Sequence, residues 1–177
     1  AFENCESLTN LIIPNSVTSI GECAFRNCFR LANIKLPDKL NIINSSTFEN
    51  CTNIESIEIP NTVKKIGSSA FSGCVSLNNI KINSPSIYIE NYAFADCTSL
   101  ENIVLPEELE SIEESTFAGC SNLKDINLPE SLISIKDNSF FECTSLESIT
   151  IPYNVKYISE NTFENCTNLS EITVYED

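Results

Sequence analysis

The chain has no histidine, only four glycines and only ten basic residues among 177. Each shortage closes off a class of function. Without histidine there is no imidazole to act as general base or to complete a Ser-His-Asp triad. No C-x-x-C pair appears either, and structural zinc sites favour such close ligand spacing. No G-x-G-x-x-G or G-x-x-x-x-G-K-S/T sequence occurs, so no glycine-rich loop is present to cradle a phosphate. The EF-hand loop pattern is absent as well. With 25 acids the net charge is −15, which repels nucleic acid and anionic membrane surfaces. No run of 18 apolar residues occurs, so no membrane insertion is expected within this chain. No signal peptide is visible at the start. Acidic pairs such as Glu107-Glu108 and Glu113-Glu114 are dense. Catalytic carboxylates need a pocket that separates their pKa values, and nothing in the sequence suggests one. These pairs read as a solvated acidic face, and the chain reads as a non-enzyme with no cofactor.

What is present is a beat. Cys5, Cys28, Cys51, Cys74, Cys97, Cys120, Cys143 and Cys166 are spaced 23 residues apart without a single insertion. Phenylalanine stands three residues before each cysteine, from Phe2 to Phe163, and leucine or isoleucine three after, from Leu8 to Leu169. Aliphatics follow at six residues (Leu11 to Ile172) and at eight (Ile13 to Val174). Proline closes most units, at Pro14, Pro37, Pro60, Pro106, Pro129 and Pro152. The fourth unit has Asn83 there and a displaced Pro85. The unit reads A-F-x-x-C-x-x-L-x-x-I-x-I-P-x-x-V-x-x-I-x-x-x.

A fixed period of this length signals a solenoid. One unit is too short to bury its own apolar residues, so stacked units must align them in ladders. The L-x-x-I-x-I stretch alternates in and out as a short strand does, and proline, lacking an N–H, ends that pairing. V-x-x-I can form a second short extended or 3₁₀ stretch. The expectation is an α/β-type repeat solenoid, mostly short β-strands: a right-handed array of about eight 23-residue coils with a parallel sheet on its concave face. Residues 1–177 form one domain. Its start within a unit at Ala1-Phe2, without methionine, suggests a fragment of a longer array.

The whole unit, F-x-x-C-x-x-L-x-x-I-x-(I/L)-P-x-x-(V/L)-x-x-I, resembles the BspA-like leucine-rich repeats, also called the Treponema pallidum type. The resemblance runs from Ala1 to Val174. It implies a surface or secreted protein of a mucosal bacterium or parasitic protist, in some members linked to adhesion to host cells or matrix.

The eight ladder cysteines share an apolar phase with Phe and Leu and read as buried thiols. Stacked coils would also bring Cα atoms within disulfide range, so an occasional bridge is the alternative. Cys23 stands outside the ladder and is expected to be more exposed. A free thiol there suits a reducing compartment. Four N-x-S/T sequons, at Asn44, Asn50, Asn165 and Asn168, would be glycan acceptors in a chain secreted by a eukaryote, although a chain this rich in Asn, Ser and Thr also produces sequons by chance.

Binding residues should lie between the buried strand aliphatics. The concave candidates are Asn10, Asn33, Ser56, Asn79, Asn102, Asp125 and Ser148 in one row, and Lys35, Glu58, Lys81, Asn127 and Thr150 in the other. Solenoid curvature builds extended binding surfaces of this kind, though the face serves equally as a soluble sheet surface. It has no aromatic and no arginine, the residues enriched in binding hot spots. Ile42, Tyr88, Ile133 and Tyr157 should point outward after the proline, as an edge contact or a dimer seam. The expected partner is a protein. End-to-end or edge self-association is also open. Three functions compete: recognition by a cell-surface or secreted protein, an intracellular (cytoplasmic) scaffold or regulator, and a structural spacer.

Overall fold

In the computed structural model the described residues run from Ala1 to Tyr175; Glu176 and Asp177, the last two of the 1–177 domain, lie outside them. About seven coils of roughly 23 residues stack in parallel. Every secondary-structure element among the described residues is a short strand, so the α component expected from the sequence is absent. The strands are β1 (Asn10–Ile12), β2 (Asn33–Lys35), β3 (Ile42–Ile43), β4 (Ser56–Ile59), β5 (Lys65–Ile66), β6 (Asn79–Ile82), β7 (Tyr88–Ile89), β8 (Ser111–Ile112), β9 (Ser134–Ile135), β10 (Ser148–Ile151), β11 (Tyr157–Ile158) and β12 (Glu171–Val174).

They make two parallel faces. The first comes from L-x-x-I-x-I and holds the pairs β1–β2, β4–β6 and β10–β12, with a single bridge between Val104 and Asn127. The second comes from V-x-x-I. It runs β3–β5–β7 and then β8–β9–β11. The stretch after proline is therefore extended and builds a ladder of its own, rather than a 3₁₀ turn. Register is that of the sequence repeat: Ile57 meets Ile80 and Ile149 meets Ile172. Proline shapes the bend between the faces. Its carbonyl accepts from the amide three residues on, as Pro60 does from Val63 at 3.1 Å.

The core is a bundle of residue ladders. Phe48, Phe71, Phe94, Phe117 and Phe140 are fully buried. Consecutive rings from Phe2 to Phe163 lie 5.4–5.8 Å apart and within 13° of parallel. That separation suits offset stacking. The phenylalanine turns carry the most regular backbone bonding. Phe2, Phe25, Phe48, Phe71, Phe94, Phe117 and Phe140 each donate their amide to a carbonyl of the next coil at 2.7–3.0 Å. Such a turn needs the left-handed region twice. One position is taken by Cys23, Ser46, Ser69, Tyr92, Ser115, Asn138 and Asn161. The other is just before each cysteine, where Asn, Asp, Gly and one Glu stand. The second choice is physical, because Asn, Asp and Gly tolerate positive φ best.

Cysteine has a role beyond filling space. Each thiol from Cys28 to Cys166 is directed at the carbonyl oxygen of the phenylalanine 26 residues earlier, at 3.0–3.3 Å. All nine cysteines are free, so the alternative of bridged neighbours is not realised. Burial pushes the Cys51 and Cys120 thiols up to about 12. Cys74 and Cys97 are likewise raised, by burial first and then by neighbouring thiols. Cys23 is half-buried, more open than the seven buried ladder cysteines as expected, and it sits in the turn ladder with its amide donating to the Ser45 carbonyl at 3.1 Å.

Candidate functional site

Strand alternation places every second residue of the first face outward. All twelve concave candidates are exposed there: Asn10, Asn33, Ser56, Asn79, Asn102, Asp125 and Ser148, and beside them Lys35, Glu58, Lys81, Asn127 and Thr150. Stacked copies bond to one another along the face. Asn33 Nδ2 donates to Asn10 Oδ1 at 2.9 Å. Lys81 Nζ lies 3.0 Å from Glu58 Oε1, which also accepts from Asn83 Nδ2 at 2.8 Å. Those bonds, with the attraction of Lys81, hold the Glu58 carboxyl below its usual range. The mixed-charge patch is thus partly self-satisfied, and Lys35 is its remaining cation. A depression of about 620 Å³ opens beside Lys35 and Glu58. It lies where β2 and β4 stand one coil apart without pairing.

Two aliphatics in the same row carry a signal that polarity-based selection passes over. Ile12 is 89% and Val104 80% exposed. The alternation that exposes Lys35 exposes them equally.

The post-proline residues do not form one row. Ile42, Lys65 and Tyr88 share a ladder, and Ser111, Ser134 and Tyr157 continue its register. Ile133 is one residue off, beside Ser134, and its equivalent Ile87 is buried. All four of Ile42, Tyr88, Ile133 and Tyr157 are exposed, but lysine and serines separate them. Two side-chain links on this side went unread in the sequence. Lys65 Nζ meets Glu90 Oε1 at 2.6 Å, and Tyr92 donates its hydroxyl to Glu114 Oε1 at 2.8 Å. Their spacings, 25 and 22 residues, stray from the repeat length, which hides them from a search in steps of 23.

The sequons divide. Asn44 and Asn50 are half-buried and spend their amide groups between coils, on Ile20 O at 2.6 Å and on Asn27 Oδ1 at 2.9 Å. Asn165 and Asn168 are exposed. Among the described residues no group of three or more His, Cys, Asp or Glu side chains is placed to hold a metal ion, and no helix is long and apolar enough to cross a membrane.

Two parallel strand ladders, a phenylalanine spine and an alternating outward face define a solenoid of the leucine-rich-repeat class. The model of the BspA type leucine-rich repeat region, in six copies, matches residues 1–98 and 87–177. The chain belongs to the BspA-type leucine-rich-repeat family. Three solved structures share the architecture. A leucine-rich cell surface protein of Faecalibacterium prausnitzii is 28% identical, with 99% of this chain and 62% of that one covered and a TM-score of 0.55. The leucine-rich-repeat protein of T. pallidum is 28% identical over 93% of this chain and 68% of that one, with a TM-score of 0.75. One from Bacteroides ovatus is 29% identical over 99% and 63%, with a TM-score of 0.62. The chain therefore spans about three fifths of the length of the first of these. No curated protein matches the chain.

Proposed function

We propose that the chain is a non-catalytic, protein-recognition module of a cell-surface or secreted protein, binding through its first strand face. The observation that carries this reading is the face itself. Twelve polar or charged side chains project from this face, nine of them from register-locked strands, with Ile12 and Val104 as apolar points among them. An extended surface of this kind fits a folded partner better than a small molecule. The surface location rests on kinship with the F. prausnitzii cell surface protein. Adhesion to host cells or matrix is the finer form of the same reading.

Antibody labelling of intact against permeabilised source cells tests the location. Labelling of intact cells supports recognition outside the cell, and labelling only after permeabilisation overturns it. Binding is tested by exchanging charges at the patch, with Lys35→Glu and Lys81→Glu. A partner captured by the wild type and not by the pair of variants assigns the face.

A second reading is favoured by the thiols. All nine cysteines are free, Cys23 among them only half-buried, which suits an intracellular scaffold kept reduced. Labelling confined to permeabilised cells would support it.

A further inference from the structure

One junction in the array differs from the rest. β7 and β8 occupy equivalent places one coil apart, yet β7 pairs only with β5 and β8 only with β9. On the first face, β6 also has no strand partner in the following coil. At every other junction among the described residues, at least one of the two faces is paired. The cause lies in the fourth repeat, where Asn83 replaces proline and Pro85 comes two residues later. The chain there turns differently, with Ser84 buried and its hydroxyl donating to the Ser86 carbonyl at 3.1 Å. Over the break, on the second face, lies a depression of about 400 Å³ lined by Tyr88, Ile87, Leu109, Lys64, Glu108 and Glu110.

Tyr88 has a counterpart that shows what its ring can take. Tyr157 stands three repeats later, and Lys136 Nζ sits over its ring at 5.4 Å from the centroid. Three repeats before Lys136 the chain has Gly67. A side chain cannot be placed there, because a Cβ on Gly67 would lie 2.6 Å from the Ser45 backbone nitrogen. Tyr88 therefore lacks the internal cation that its counterpart has, and it is 49% exposed. Its surroundings are acidic. Residues 101–177 carry 16 acids and three bases, against nine and seven for residues 1–100. Glu108 and Glu110 are both exposed on the rim. Of the nearby lysines, Lys65 is held by Glu90 at 2.6 Å, which leaves Lys64 as the cation in the lining.

We propose that Tyr88, Glu108 and Glu110 form a subsite for a lysine or arginine side chain of a basic polypeptide partner. The ring face takes the cation as Tyr157 takes Lys136. The carboxylates pair with it, and Ile87 and Leu109 flank the methylene stem. The surface is separate from the first strand face, so it stands or falls independently of the recognition reading above.

The test is a titration of the folded chain with a fluorescein-labelled ten-residue peptide of alternating Arg and Gly, alongside a Glu-Gly control. Tyr88→Leu should weaken Arg-Gly binding roughly two- to fivefold, the range of an exposed cation–π contact, while Tyr88→Phe retains it. Tyr157→Leu, at a ring that already has Lys136 over it, should leave binding unchanged. Glu108→Gln with Glu110→Gln should weaken binding and flatten its salt dependence; both side chains are exposed, so this pair tests the subsite even if loss of the ring disturbs folding. Wild-type binding by Tyr88→Leu, or an equal loss in Tyr157→Leu, would overturn the proposal and leave only general attraction to an acidic surface.

Discussion

The Sγ of Cys97 lies 3.3 Å from the carbonyl oxygen of Phe71, and the same contact recurs in each coil from Cys28 to Cys166. The same carbonyl accepts from the Cys74 amide at 3.2 Å, so the thiol supplies its second hydrogen. Cysteine is thus both a small apolar filler and a weak donor. Replacement separates the two roles. Cys97→Ala removes the donor and leaves a void, and should cost about 1–3 kcal/mol. Cys97→Ser keeps a donor and should be milder than Cys97→Val, which fills the site but cannot donate. Urea unfolding of the three variants measures the order. A milder valine would mean that volume and apolarity decide the position.

Alkaline pH should weaken the fold before any surface acid matters. Buried Cys51 and Cys120 are raised to about 12, chiefly by burial, whereas unfolded thiols ionise near about 8.5. Between those values the unfolded chain binds fewer protons than the folded one. Stability is then full below the unfolded value and falls as pH rises, by up to about 1.4 kcal/mol per thiol per pH unit. Denaturant midpoints at pH 7.5, 9 and 10.5 should decline accordingly. A flat series would show that the thiols ionise in place.

Thiol chemistry under native conditions should distinguish the same residues. Seven cysteines are buried, Cys5 is exposed and Cys23 half-buried. A bulky thiol reagent should modify Cys5 and Cys23 quickly and the other seven only on unfolding. Mass spectrometry of the labelled peptides reads the result directly. Fast labelling of Cys74 or Cys97 would contradict the closed ladder.

Hydrogen exchange should map the break between β7 and β8. Ser111 and Glu113 face a coil with which they make no strand pair, whereas Lys136 donates to Ile112 at 2.9 Å. The amides of Ser111–Glu113 should exchange ahead of those of Ser134–Lys136. Equal protection would show that the two blocks pair in solution.

Glu142 holds a left-handed backbone, φ 58°, where most repeats place Asn, Asp or Gly. Glu142→Asn should stabilise the chain modestly, on the order of 0.5 kcal/mol, since Asn visits that region more readily. A thermal melt showing a lower midpoint would locate the strain elsewhere.

Much of this fold is legible in the residue string because each apolar position must land on its copy one coil away. Phe48 under Phe71 and Ile57 beside Ile80 follow from spacing alone, as does the outward direction of Lys35 and Glu58. Legibility ends where an interaction leaves the repeat. The Lys65–Glu90 and Tyr92–Glu114 contacts step by 25 and 22 residues. V-x-x-I has two positions between its apolar ends, and the spacing alone does not say that Ile42, Tyr88 and Tyr157 take the second while Ile133 takes the first. The break at β7 had a visible cause in Asn83 and Pro85, but sequence shows only that the unit departs there, not which pairings open.

The phenylalanine turns bond from coil to coil without a gap, and across the break Tyr92, Phe94 and Asp96 still donate to Glu114, Thr116 and Ala118 at 2.7–3.0 Å. The array is bound like a book, stitched most closely along one edge and held at its loosest page by isolated bonds, Glu108 to the Pro85 carbonyl at 3.2 Å and Ser99 to that of Val75 at 3.1 Å. A load on the second strand face should therefore open that page before any other, with the phenylalanine edge as the last seam to give.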